Sequence, residues 1–175
     1  MQNLVFMGGI HGSGKNYIID NFLSGLPIEH LTASSVLKWN EYCDNPNLKK
    51  VNSIMDTQNR LTSNLAQLIG PDKQYILNGH YTLLNKDGHL KRITKDTFIK
   101  ISPKTLYLKI SDISAIYDRL KERGGNKWSK ELIKSMQKKE VIHAQYISKI
   151  LKTDLHIIDD TQGDLLFHLV SKDIL

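Results

Sequence analysis

The stretch MGGIHGSGKN, from Met7 to Asn16, limits the possible folds more than any other part of the chain. Four apolar residues, Leu4 to Met7, precede it and read as a short buried parallel strand closed by Gly8 and Gly9. A helical pattern follows at once. Ile18, Ile19, Phe22, Leu23 and Leu26 recur at helical spacing, and Gly25 with Pro27 ends the helix. Gly9, Gly14 and Lys15 fit the pattern G-x-x-x-x-G-K-[S/T]. In such a loop successive backbone N–H groups cradle phosphate oxygens, the helix start adds a positive end, and the lysine reaches the terminal phosphates. The competing reading is a glycine-rich turn between packed elements. A strand before the loop and a helix after it favour phosphate binding. Gly9, Ile10, His11, Gly12, Ser13, Gly14, Lys15 and Asn16 then form a nucleotide site. Asn16 breaks the pattern, because a hydroxyl that touches Mg²⁺ is expected there.

Four further runs can pair with the first strand: 30–33, 74–78, 105–110 and 155–159. Helical patterns lie between them, at 35–43, 48–69, 111–123 and 129–151, with another closing the chain. On the 48–69 helix Val51, Met55, Leu61, Leu65 and Leu68 share a stripe, which Gly70-Pro71 stops. Alternating strands and helices predict an α/β fold with a five-stranded parallel sheet covered on both faces. The segment 81–93, YTLLNKDGHLKRI, departs from the alternation and reads as an inserted β-hairpin around an Asn-Lys-Asp-Gly turn.

The formal charge of +6 raises the question of nucleic acid. The chain has 20 Lys, 4 Arg and 12 Asn, which fits a solvated lysine surface better than a nucleic-acid face. Cys43 is the lone cysteine, so no internal disulfide forms and a reducing cytoplasm is expected. No apolar run is long enough for a membrane span, and the N-terminus does not read as a signal peptide.

The second metal-facing position of such a site is an acid ending another strand. The candidate is Asn78, so both expected metal positions, Asn16 and Asn78, are neutral carboxamides. Asp56, Asp159 and Asp160 are the substitute acids, with Asp159 best placed at a strand end; solvated or capping roles are the alternative. Arg119 and Arg123 share a helix face just before Gly124-Gly125 and suggest a flap closing on phosphates, or a surface pair bridging to Asp118 or Glu122. Gln58 interrupts an apolar stripe, and His80 sits at the carboxyl end of a strand, where open α/β sheets bind ligands. His11 is read as shaping the loop. No zinc-like spacing and no nucleophile elbow occur.

GGIHGSGK, LTASSVLKW, KKVNSIMDTQNRL, YILNGHYTLLNKDGHL and LYLKISDISAIYDRLKER together resemble a bacterial group of small P-loop ATP-binding proteins. That group is similar in turn to archaeal-type adenylate kinases and other nucleoside monophosphate kinases. The resemblance runs the length of the chain. It implies one P-loop NTPase three-layer domain over 1–175, an acceptor-binding region at about 34–70 and a lid at about 119–130. ATP and Mg²⁺ are the implied cofactors. Catalytic roles fall to Lys15, Arg119 and Arg123, acceptor binding to Ser34, Ser35, Gln58 and His80, and metal contact to Asn16 and Asn78. Three readings stay open: a nucleotide or small-molecule kinase, a catalytically weakened nucleotide-binding regulator, and a kinase of nucleic-acid ends.

Overall fold

The computed structural model describes residues 3–37, 54–85, 88–123 and 128–174. Five parallel strands form the central sheet: β1 (Leu4–Gly8), β2 (Ile28–Thr32), β3 (Gln74–Asn78), β6 (Thr105–Lys109) and β7 (Leu155–Ile158), in the spatial order β2-β3-β1-β6-β7. β1 is central. It pairs Leu4 with Tyr75 on one side and Val5 with Thr105 on the other. Period-2 alternation then divides its side chains between two cores. Leu4 and Phe6 meet Leu61 and Leu65 of α3 (Ile54–Leu68), Phe98 and Ile101 of α4 (Lys95–Ile101), and Ala144 and Ile147 of α6 (Lys130–Leu151). Val5 and Met7 face Ile18 and Ile19 of α1 (Lys15–Phe22) and Leu166 and Val170 of α7 (Gly163–Ile174). Helices thus cover both faces of an all-parallel sheet, which is the P-loop NTPase-like α/β arrangement.

The hairpin is present as β4 (Thr82–Leu84) and β5 (Leu90–Arg92), antiparallel and separate from the main sheet. Tyr81 anchors its base. The ring is fully buried, edge-on to Phe6 and stacked on Phe98, and its hydroxyl donates to the Tyr107 carbonyl.

The largest departures from the sequence expectation are at β2, at the start of α2 and in one further element. β2 starts at Ile28 and ends at Thr32, because the Thr32 side chain caps α2 (Ala33–Val36) by accepting from the Ser35 N–H. α2 therefore begins before residue 35, and the remainder of the expected 35–43 helix, from residue 38, lies outside the described residues. The same holds for residues 48–53 of the expected 48–69 helix and for Gly124-Gly125. α4 was not expected at all; Thr94 caps it, and its buried face is Thr97, Phe98 and Ile101.

Candidate nucleotide site

The loop leaving β1, Asn78 at the end of β3, Lys109 at the end of β6 and Asp160 after β7 meet at the carboxyl ends of the strands. The loop turns through three glycines with positive φ: Gly9 at 148°, Gly12 at 78° and Gly14 at 87°. At Gly9 a Cβ would lie 2.6 Å from the Lys109 carbonyl oxygen, so only glycine fits there. Gly14 caps α1, which aims its N-terminus at the loop. A third apolar cluster, Ile10 with Ile116, Leu120, Ile133 and Met136, supports the loop from below through α5 (Ile113–Glu122) and α6.

Beside the loop is a cavity of about 1450 Å³. His11, Gly12, Ser13, Gly14, Lys15 and Asn16 line it, while Gly9 and Ile10 sit behind the surface and contribute backbone. Lys15 is buried and folds back on the loop, donating to the carbonyls of Gly9 at 2.6 Å and Ile10 at 3.0 Å. Burial lowers its pKa to about 8; the negative charge of Glu140 opposes the shift and Lys109 adds to it. A phosphate contact favours the protonated amine, so nucleotide binding draws in a proton once the free lysine begins to lose its own. ATP affinity is therefore expected to be flat below pH 7.5 and to fall by up to about tenfold per pH unit above pH 8. Calorimetry at pH 8.5 in buffers of different ionisation enthalpy checks this; equal heats in all buffers would mean no linked proton.

Lys109 is equally buried and donates to the Ile110 carbonyl and to Asp160 Oδ1, each at 2.6 Å. Asp160 also accepts from the Ser111 hydroxyl and lies 3.6 Å from Arg119 Nη2. Burial acts to raise the Asp160 carboxyl, but these hydrogen bonds and positive charges together hold it below its ordinary range. Arg119 in turn donates to the Gly12 carbonyl and the Ser111 hydroxyl, both at 2.7 Å. The helix arginine therefore touches the phosphate loop itself. Arg123, the exposed C-cap of α5, also lines the cavity. Asp159 faces away: its Oδ1 accepts from the N–H and hydroxyl of Thr161 in its own turn.

Ser34, Gln58 and His80 line the cavity, as do Phe6, Leu37, Leu61 and Phe98. Gln58 Oε1 and His80 Nε2 are buried without a hydrogen-bond partner. The His80 ring lies 4.3 Å from that of His11, and burial, with the charges of Lys15 and His11, holds it well below the usual imidazole range. Ser35 is not in the lining. Its hydroxyl closes a capping box, accepting from the Thr32 N–H and donating to the Thr32 carbonyl, which removes it from the acceptor group.

Two buried groups escaped the sequence reading. Glu140 on α6 is fully buried. Its Oε1 accepts from the N–H groups of Gly9 at 3.2 Å and Tyr81 at 2.7 Å, and its Oε2 from the N–H and hydroxyl of Thr82 at 2.7 and 2.5 Å. One carboxylate thus ties loop, hairpin and helix together. Burial raises its pKa against the opposing pull of these bonds and of Lys15. The available signal was its place on the buried stripe Ile133, Met136, Glu140, Ala144, Ile147. Lys109 had a comparable signal, a charge ending the otherwise apolar strand TLYLK.

Proteins with this loop generally use ATP with Mg²⁺, held by a loop hydroxyl and a strand-end acid. The residues here do not fit that role. Asn78 Nδ2 donates to Asn16 Oδ1, so the two carboxamides at the expected metal positions bond to each other. Among the described residues no group of three or more His, Cys, Asp or Glu could hold a metal.

Residues 8–137 match the AAA domain family, well over half of the chain. Comparison with curated proteins gives no significant match. Among solved structures, shikimate kinase from Acinetobacter baumannii in complex with shikimate superposes with a TM-score of 0.67 at 10% identity, covering 99% of this chain and 95% of that one. An uncharacterised protein from Eubacterium ventriosum superposes with a TM-score of 0.50 at 12% identity, covering 98% and 97%. At these identities the likeness is one of fold.

Proposed function

Since the chain belongs to the AAA domain family, we propose that it is an ATP-dependent phosphotransferase acting on a small molecule. The observation that carries this reading is the convergence of Lys15, Lys109 and Arg119 on the loop beside a cavity with an apolar acceptor wall. Loop amides and Lys15 bind the terminal phosphates. Arg119 and Arg123 stabilise charge on the transferred group. The acceptor lies against Gln58 and His80, and the segment at about 119–130 acts as a lid within one domain spanning 1–175. The sequence resemblance favours a nucleoside monophosphate as acceptor, in the manner of adenylate kinases. The shikimate kinase likeness supports a small-molecule kinase more broadly. A cytoplasmic setting fits the lone Cys43, and among the described residues no helix is long and apolar enough to cross a membrane.

Turnover of ATP against a panel of nucleoside monophosphates and hydroxylated small acids tests the reading. Arg119→Ala is expected to lower kcat by at least about a hundredfold, the scale of one lost transition-state donor. Its half-exposed ion pair contributes little to stability, so the melting temperature should hardly move. An unchanged kcat would remove Arg119 from the mechanism. A second reading, a nucleotide-binding regulator with little turnover, is favoured by the Asn16–Asn78 bond. ATP binding with no turnover on any acceptor would decide for it.

A further inference from the structure

We propose that this site binds its nucleoside triphosphate through the protein's own cations, with no divalent metal ion held by the protein. The inference rests on the nucleotide-binding reading above and concerns which form of the nucleotide the site selects.

Magnesium requires near-octahedral oxygen ligands and is usually fixed to a protein by one or two carboxylates. Asn16 and Asn78 bring no charge, and their mutual hydrogen bond engages one lone pair of the Asn16 oxygen. Exchanging oxygen and nitrogen on both amides only moves the engaged oxygen from Asn16 to Asn78, and neither arrangement supplies the negative charge of a carboxylate. Among the described residues Asp160 is the one acid in the cavity wall, and it is already matched by Lys109, Ser111 and Arg119. Asp159 is bonded to Thr161, and Asp56 is outside the wall.

The balance of charge points the same way. Among the described residues Lys15, Lys91, Arg92, Lys109, Arg119 and Arg123 line the cavity, against Asp160 in its wall and Glu140 buried behind the loop. Lys15 and Lys109 are buried, so water screens them poorly. Such a field attracts a polyphosphate and opposes the entry of a hydrated divalent cation. In a site of this type the metal's usual task is to offset phosphate charge; here the buried ammonium groups of Lys15 and Lys109 and the guanidinium groups of Arg119 and Arg123 occupy that role. The preferred ligand is the metal-free nucleoside triphosphate.

Isothermal titration of the full chain with ATP, once with EDTA and once with excess MgCl₂, tests this without relying on activity. The expected Kd in EDTA is equal to or tighter than that in Mg²⁺, or weaker by no more than about threefold. Asn78→Asp puts a carboxylate back at the strand end, repelling free phosphate and favouring the metal complex. It should move the ratio of the two affinities toward Mg²⁺ by about tenfold or more. Asn16→Thr exchanges one neutral group for another and should move it less. Wild-type affinity raised about tenfold or more by Mg²⁺ would overturn the inference while leaving nucleotide binding intact. An unchanged ratio in Asn78→Asp would overturn it as well, because Asn78 would then not face the phosphates. Failure of ATP to bind in both buffers would instead bring down the nucleotide reading, and this inference with it.

Discussion

Lys15→Ala is expected to weaken ATP binding by at least about a hundredfold, roughly 3 kcal/mol. The ammonium is buried at the mouth of the cavity, and it is the loop's own charge. A hydrogen bond to a charged group contributes about 1.5–3 kcal/mol, and a lysine bridging two phosphates makes more than one. The free protein should tolerate the change. Lys15 is under a burial penalty, visible in its lowered pKa, and that penalty vanishes with the charge. The buried carbonyls of Gly9 and Ile10, left without their donor, and Glu140, left without the charge of Lys15, are the counterweight. Calorimetry with ATP, alongside a melting curve for each protein, separates the two effects. A mutant with intact melting and wild-type affinity would show that the loop amides suffice.

Glu140→Ala should be the most destabilising single change near the site, at about 3–5 kcal/mol. It leaves the N–H groups of Gly9, Tyr81 and Thr82 buried without an acceptor and strips Lys15 of its nearest opposing charge. Glu140→Gln is a sharper probe. It keeps the shape but turns an NH₂ toward N–H donors, so roughly half the loss should remain. Urea unfolding of wild type and both variants measures this. A loss below about 1 kcal/mol for Glu140→Ala would mean that water reaches the three donors.

What was legible in the sequence was what neighbouring residues encode. LVFM, the glycine loop and the Ile18-Ile19 face are set within about twenty residues, and β1, the loop and α1 form there. β3, β6, β7 and α6 were readable from apolar runs and helical spacing for the same reason. α4 was not, because Arg92-Ile93-Thr94 reads as the close of a hairpin, and seven residues offer few turns of periodicity. The site divides along the same line. Loop residues, Arg119, Gln58 and His80 could be assigned to a cavity from their positions on single elements. Glu140 could not, since its partners at residues 9, 81 and 82 are remote in sequence. Nor does anything local reveal that Asn16 and Asn78 bond to each other.

The central position of β1 has a consequence for how the chain comes off the ribosome. β1 is made before either of its neighbours: Leu4 waits for Tyr75, and Val5 waits for Thr105. Gly9 waits longer still, for Glu140. The apolar LVFM segment is thus unpaired until residues 75 and 105 have been made, and such edges are open to wrong partners. Long loops must close before any of its bonds form, which slows the step that would protect it. The phosphate loop therefore completes its hydrogen bonds only after α6 has been made.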